Sequence, residues 1–163
     1  MIESAVIDST EKYRYLLTRI WDEDLPLAVF IMLNPSTADA EHDDPTIRRC
    51  IGFAKDWGYG GIKVVNVFAY RATNPKELLN VIDPIGPDNY KYIKNAVANA
   101  GIVVAAWGAT YLKNRQAYKD AINTIRNAGI DKIYCLGTTN SGHPRHPLYV
   151  RGDTKPEWEV QNG

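Results

Sequence analysis

The sequence predicts an α/β protein with three layers, α/β/α, and a mainly parallel central sheet of about four strands. Continuous apolar runs, typical of strands covered on both faces, recur along the chain. Segments with apolar residues at helical spacing lie between them, and this alternation favours parallel pairing through right-handed crossovers. A length of 163 residues, 45% of them hydrophobic and 23% charged, suits a single domain over 1–163. We expect its core at about 27–149 and a polar C-terminal tail at 151–163.

An N-terminal β-hairpin is predicted to precede the central sheet. Residues 13–21 mix aromatic, β-branched and polar side chains, as a half-buried strand does. Asp22, Glu23 and Asp24 indicate a turn, and the apolar run LAVFIML follows at 27–33. We expect these two strands to pair antiparallel and the second to enter the central sheet.

Helices and strands then alternate. Asp44-Pro45 and Asn74-Pro75 each join a capping side chain to a proline suited to the first helical position, which predicts a helix at each place. Apolar residues at helical spacing predict two more helices at about 88–100 and 115–127. The other central strands are predicted at 62–69, 102–107 and 132–136, and the tail after 151 is expected to be irregular.

The four central strands end in the sequences MLNPST, NVFAYRATNP, AAWGAT and LGTTNSGHPRHPLY, each of which leads into a polar loop. Ligands of open α/β sheets bind at the carboxyl ends of strands, so these loops are expected to converge on one pocket. The candidate catalytic residues are Asn34 and His146. The candidate substrate-binding residues are Ser36, Thr37, Asn66, Arg71, Asn74, Trp107, His143, Arg145 and Tyr149.

The residue types leave two readings open at each key position. Asn34 either holds a water or a base edge through its amide, or it only starts an Asn–Pro turn. His146 either donates a hydrogen bond to a developing anion or bonds to loop backbone. Arg71 either grips a phosphate or carboxylate or pairs with an acidic helix residue.

Composition excludes several classes. No apolar run reaches the ~18–20 residues that span a bilayer, and the N-terminus lacks a signal-peptide pattern, so we expect no membrane association and a cytoplasmic protein. Two cysteines are too few for an iron–sulfur cluster. The acidic stretch at 39–44 offers oxygens to Mg²⁺, but a solvated loop is the favoured interpretation, and neither a metal site nor a cofactor is predicted. The net charge is zero, a weaker basic character than phosphate-binding proteins usually show.

The motifs MLNPSTADAEHDDPT, NVFAYRATNP and GHPRHPLY, in this order, resemble a bacterial and phage family catalogued as domain of unknown function 1643. The likeness covers about 27–149. The chain also has a distant resemblance to the uracil-DNA glycosylase superfamily, in the order of its Asn-Pro, Asn, Trp-Gly and His-Pro loops. That resemblance implies a uracil-DNA-glycosylase-like fold. It also implies that Asn34 positions an attacking water, and that His146, Pro147 and Leu148 stabilise the departing base and contact DNA.

The expected function is therefore a glycosylase-type hydrolase that acts on a nucleobase–sugar bond in DNA or a nucleotide. The alternative is a non-enzymatic module that binds a nucleotide or nucleic acid in the same strand-end pocket. Metal-dependent hydrolysis through the acidic stretch is a third hypothesis, and it predicts sensitivity to chelators. The sequence indicates no particular oligomeric state.

Overall fold

A computed structural model describes residues 1–158 except 111 and 131. One mixed sheet of seven strands runs through this part of the chain, in the order β1-β2-β4-β3-β5-β6-β7. The strands are β1 (Ile2–Ile7), β2 (Arg14–Ile20), β3 (Leu27–Met32), β4 (Gly61–Asn66), β5 (Ile102–Ala105), β6 (Tyr134–Cys135) and β7 (Glu157–Trp158). The helices are α1 (Pro45–Asp56), α2 (Asn89–Ala98) and α3 (Gln116–Arg126), with 3₁₀ helices at Pro75–Asn80 and Pro147–Tyr149.

The centre of the sheet is parallel and its two sides are antiparallel. Strand β3 pairs parallel with both β4 and β5, so that Phe30 faces Val64 on one side and Val104 on the other. Strand β6 continues the parallel part beside β5. Strands β1, β2 and β7 are joined through antiparallel pairs. The sheet is therefore larger than predicted and mixed rather than mainly parallel.

The predicted hairpin between 13–21 and 27–33 is wrong in its pairing. The N-terminal hairpin consists of β1 and β2, and β4 lies between β2 and β3. The connection from β2 to β3 crosses the start of β4, where the carbonyl of Gly60 accepts from the N–H groups of Trp21 and Asp22. A Cβ on Gly60 would lie 2.0 Å from the carbonyl oxygen of Asp22, so only glycine allows this crossing.

Both faces of the sheet are covered by helices. On β3, Ala28 and Phe30 pack in a cluster that includes residues of α1, while Val29 and Ile31 pack in a second cluster that includes residues of α2 and α3. Successive strand residues point to opposite faces, so a run buried at every position needs a layer on each side. The apolar run at 27–33 predicted this covering.

The capping signals mark the starts of two helices. The side chain of Asp44 accepts from the N–H of Ile47 at 2.9 Å, and α1 begins at Pro45. Asn74 accepts from the N–H of Lys76 at 3.0 Å and starts the 3₁₀ helix. The tail is not wholly irregular, because β7 pairs with β6; residues 159–163 of the predicted tail lie outside the described residues. Among the helices described, none has the length and apolar character needed to cross a membrane.

Candidate functional site

A cavity of about 550 Å³ opens at the carboxyl ends of the parallel strands. Its wall combines residues of the loops after β3, β4 and β5 with residues of the His-Pro loop that follows β6. The polar and charged side chains among its lining residues are Arg14, Asn34, Ser36, Asp44, Thr46, Asn66, Thr73, Trp107, Thr139, Arg145, His146 and Tyr149. The strand-end position follows from the parallel centre of the sheet, which directs these loops to one edge.

The structure brings seven of the predicted site residues to this cavity. They are Asn34, Ser36, Asn66, Trp107, Arg145, His146 and Tyr149.

Four predicted residues do not line the cavity. Thr37 is exposed to solvent, and Nη1 of Arg71 donates to the carbonyl of Glu11 at 3.4 Å. The side chain of Asn74 is used as a helix cap. The main chain of His143 is tied to Thr139, whose Oγ1 accepts from the His143 N–H at 3.1 Å.

Asn34 is fixed by two hydrogen bonds from its amide nitrogen. Nδ2 donates to the carbonyl of Ala72 at 2.8 Å and to that of Pro35 at 3.0 Å. The first bond joins the loop after β3 to the loop after β4. Because both donors are directed at backbone, Oδ1 is the atom of this side chain that can accept a hydrogen bond from a molecule in the cavity.

His146 stands at the start of the 3₁₀ helix Pro147–Tyr149. Its Nδ1 accepts from the N–H of Leu148 at 3.1 Å. A backbone N–H is always the donor, so Nδ1 is unprotonated and the neutral ring carries its proton on Nε2. Burial lowers the pKa of His146, and the carboxylate of Asp44 opposes this shift. The imidazole is thus held neutral, with Nε2–H as its donor.

Asn66 is the last residue of β4 and is fully buried. Its backbone carbonyl accepts from Nδ2 of Asn89 at 2.8 Å, which fixes this strand end. Neither amide atom of the Asn66 side chain has a hydrogen-bond partner among the described residues. A buried amide that stays unpaired costs folding free energy. The N–H donors of Nδ2 and the acceptor Oδ1 are therefore available to a ligand.

The sequence did not identify Arg14 and Asp44 as site residues. Arg14 lies at the start of β2, next to the carboxyl end of β4, and is one of the residues that line the cavity. Its position between Tyr13 and Tyr15 in a half-buried strand is the only hint that the sequence offers. Asp44 was predicted only as a cap, but it also lines the cavity.

The aspartate carboxylates of the acidic stretch have partners within the protein. Oδ1 of Asp39 accepts from the backbone of Glu41 and His42 and contacts Nδ1 of His42 at 3.0 Å. Asp43 forms an ion pair with Arg19 at 2.9 Å. Across the part of the chain that the structure describes, no three His, Cys, Asp or Glu residues are grouped as a metal site would require.

The loop that carries His146 is anchored from α1. Nε of Arg49 donates to the carbonyl of Pro147 at 3.2 Å, and Nη2 donates to the carbonyl of Val150. Further along, the indole N–H of Trp57 donates to the carbonyl of Thr154 at 3.1 Å. Helix α1 therefore supports the position of the loop that carries His146.

Comparison with known proteins gives one finding. The profile of a family described as "Protein of unknown function (DUF1643)" matches residues 14–148. No curated protein and no solved structure matches the chain.

Proposed function

Because the chain belongs to the DUF1643 family, whose description names no activity, we propose a function from the chemistry of the cavity. The protein is a glycosylase-type hydrolase that cleaves the bond between a nucleobase and its sugar, in DNA or in a nucleotide. One observation carries the proposal. A neutral histidine donor, a fixed asparagine acceptor and a buried unpaired amide line the same cavity.

Cleavage of an N-glycosidic bond places developing negative charge on the base. The Nε2–H of His146 suits this charge, because a neutral imidazole can donate a hydrogen bond without taking part in acid–base exchange. The bond from the Leu148 N–H keeps Nδ1 as the acceptor and so keeps the proton on Nε2. In the proposed reaction His146 stabilises the departing base anion.

The sugar side of the reaction needs an oriented water. Asn34 supplies a carbonyl oxygen whose direction is set by the two bonds from Nδ2 to backbone. A water that donates to Oδ1 is held with a lone pair directed away from the amide, toward the anomeric carbon that becomes electron-poor. The water oxygen forms the new bond to the sugar, the base leaves with the bonding electrons, and the water proton ends on the base or in solvent.

The base itself has a candidate partner in Asn66. An amide presents a donor and an acceptor side by side, which matches the paired donor and acceptor on the edge of a nucleobase. The side chain of Asn66 is buried, and its Nδ2 and Oδ1 atoms have no partner among the described residues. Hydrogen bonds to a base edge would remove the free-energy cost of these unpaired atoms. Trp107 also lines the cavity, but it is 2% exposed and packs in the cluster that includes residues of α2 and α3, so the base is not assigned to it.

The finer part of the proposal is a uracil-DNA-glycosylase-like arrangement. The order of the Asn-Pro loop, the Asn segment, the Trp-Gly loop and the His-Pro loop supports it, since all four loops contribute residues to the cavity. Under this proposal Asn34 holds the attacking water, and His146 stabilises the departing base. Leu148, which lines the cavity, contacts DNA. Partners are then nucleotides or nucleic acids, and the protein acts in the cytoplasm.

The test is base release from labelled oligonucleotides that carry uracil, hypoxanthine or a mismatch, and from the matching free nucleotides. We expect release by the wild type and a loss of about 10²–10⁴-fold in Asn34→Ala and His146→Ala.

The chain provides matched controls. Asn74→Ala alters a second Asn-Pro pair, and His143→Ala alters a second His-Pro pair; neither Asn74 nor His143 lines the cavity. Equal losses in the control variants would contradict the assigned roles. Binding of the same oligonucleotides or nucleotides without release would instead support the non-enzymatic module.

A further inference from the structure

Two side chains of residues that line the cavity have polar atoms that no described residue satisfies. Asn66 is 0% exposed and lacks partners at both amide atoms. Arg14 is 2% exposed and lacks a partner at Nε. The hydrogen bond that the Arg14 side chain does form runs from Nη1 to the carbonyl of Ala38 at 2.9 Å. Unpaired buried donors cost folding free energy, so these atoms indicate a group that enters from the cavity.

Strand β2 contains a second buried arginine, Arg19, whose guanidinium has partners within the protein and serves as a comparison for Arg14. Arg19 is 1% exposed and forms an ion pair with Asp43, with Nε and Oδ1 2.9 Å apart. Its Nη1 and Nη2 donate to backbone carbonyls, including that of Thr18 at 3.0 Å. Arg14 takes part in no ion pair among the described residues. The two arginines are equally buried, but only Arg19 has its charge neutralised by a carboxylate in contact.

The charge on Arg14 persists at neutral pH. Burial lowers the pKa of its guanidinium to about 10, with the charge of Asp44 opposing the shift. Asp44 lines the same cavity, but its two oxygens accept from the N–H groups of Ile47 and Ala38. Arg145 lines the cavity as well, so two cationic side chains face one carboxylate there. This balance favours an anionic ligand.

We propose that Arg14 and Asn66 form a subsite for a compact oxyanion, which is carried by a phosphate or a carboxylate of the ligand. Nε–H of Arg14 and Nδ2–H of Asn66 donate to two oxygens of the group, as a guanidinium and an amide do in charge-assisted pairs. Where a phosphate carries the oxyanion, Asn66 binds the phosphate in place of the base edge, and Oδ1 accepts from a hydroxyl of the singly protonated group. Where a carboxylated base carries it, Asn66 keeps its place at the base edge, and Oδ1 accepts from the N–H beside the carboxylate of the released base. The cavity of about 550 Å³ is larger than an oxyanion and leaves room for a base and a sugar.

This inference rests on the proposed function in one respect only: the molecule that carries the oxyanion is taken to be a nucleotide or a nucleobase. The binding of the anion itself does not depend on turnover. The subsite therefore specifies a substrate class within the proposed function, namely mononucleotides or nucleosides with a carboxylated base, in preference to neutral nucleosides.

The first experiment is calorimetric titration of the wild type with matched pairs of probes. Uridine 5′-monophosphate is compared with uridine, and 6-carboxyuracil with uracil. We expect the anionic member of at least one pair to bind about 10- to 100-fold more tightly. The first pair identifies a phosphate as the oxyanion and the second a carboxylate. Equal affinities within both pairs would overturn the proposal.

The second experiment uses the two arginines of β2 as a matched pair. Arg14→Met should remove the preference for the anionic probe while the melting temperature stays within about 2–4 °C of the wild type or rises, because a buried unpaired charge is lost. Arg19→Met should lower the melting temperature further, because Asp43 loses its partner. If Arg14→Met destabilises the protein as much as Arg19→Met, or fails to fold, Arg14 is structural and the proposal is wrong.

The outcomes separate this inference from the proposed function. Tight binding of an anionic probe without base release would leave the subsite standing and remove the glycosylase. Base release from DNA without any preference for the anionic probes would support the glycosylase and overturn the oxyanion subsite.

Discussion

The aspartate that caps α1 allows a quantitative prediction. Its side chain forms a hydrogen bond to the helix backbone, whereas the aspartate that caps α2 forms none. Oδ1 of Asp44 accepts from the N–H of Ile47 at 2.9 Å, and Oδ2 accepts from the N–H of Ala38 at 3.4 Å, both in buried surroundings. Asp88 caps α2, is exposed, and forms no side-chain hydrogen bond to the helix. The two aspartates share a position in their helices and differ in these contacts.

We predict that Asp44→Ala lowers the free energy of unfolding by about 2 kcal/mol. Loss of the cap contributes about 1 kcal/mol. The N–H of Ala38, a residue that is itself buried, is left without a partner at a cost of about 1 kcal/mol, at the low end for such groups because the bond is long. The sum corresponds to a decrease of about 4–8 °C in melting temperature for a chain of this size.

The assay is urea unfolding followed by circular dichroism, with Asp44→Ala, Asp44→Asn and Asp88→Ala beside the wild type. Asp44→Asn should recover most of the loss, because an amide oxygen still accepts from the N–H of Ile47. Asp88→Ala should change the stability by less than about 0.5 kcal/mol. Equal losses in Asp44→Ala and Asp88→Ala would refute the reasoning, since the assigned contacts would then carry no energy.

Three further predictions concern the loop that carries His146. Gly108→Ala should lower stability by about 1–2 kcal/mol and reduce base release, because φ at Gly108 is +73° and the new Cβ would lie 3.3 Å from Cβ of His146. Arg49→Gln should weaken base release and stability, because Arg49 donates to two carbonyls of this loop. The stability that neutral His146 contributes should be complete above pH about 6.5 and should decline as the pH falls toward its lowered pKa, since the unfolded state then binds more protons.

Each of these predictions has an internal control. Gly52→Ala lies in the interior of α1 with no atom within 4 Å of the new Cβ, and it should raise the melting temperature. Arg48→Gln is the control for Arg49→Gln, because the side chain of Arg48 donates to the carbonyl of Asp43 and not to the loop that carries His146. Base release should persist in this variant. For the histidine, the stability difference between wild type and His146→Asn is measured by urea unfolding at pH about 7.5 and about 5.5. A difference that grows toward acid pH would contradict the assignment of a neutral ring.

Much of the architecture could be predicted from local patterns. The aspartate and proline at 44–45 mark the start of α1 because capping depends on a few neighbouring residues. The apolar runs identify β3, β4 and β5 because a strand buried on both faces consists mostly of apolar residues. The parallel order of these strands brings Asn34 and His146, which are far apart in sequence, to one cavity.

Strand pairing at the edges could not be predicted in the same way. The mixture of aromatic, β-branched and polar residues at 13–21 identifies β2 as a strand but is equally compatible with pairing to β3 or to β4. Close approach at Gly60, where a Cβ would meet the backbone of Asp22, allows the chain to cross the start of β4. Strands β1 and β7 depend on partners already in place, since short edge strands have little stability of their own.

For the candidate site as well, the sequence predicts some residues, and only the tertiary structure reveals the others. Loop composition identified Asn34, Asn66 and His146, because polar residues after buried strands are recognisable from neighbouring residues alone. Whether a side chain finds a partner depends on residues distant in the chain: Arg19 forms an ion pair with Asp43, whereas the partner of the Arg14 side chain among the described residues is the carbonyl of Ala38. Helices and strands follow from interactions within a few residues, but burial and pairing follow from long-range contacts. The tertiary structure alone therefore distinguishes the structural arginine from the one that faces the cavity.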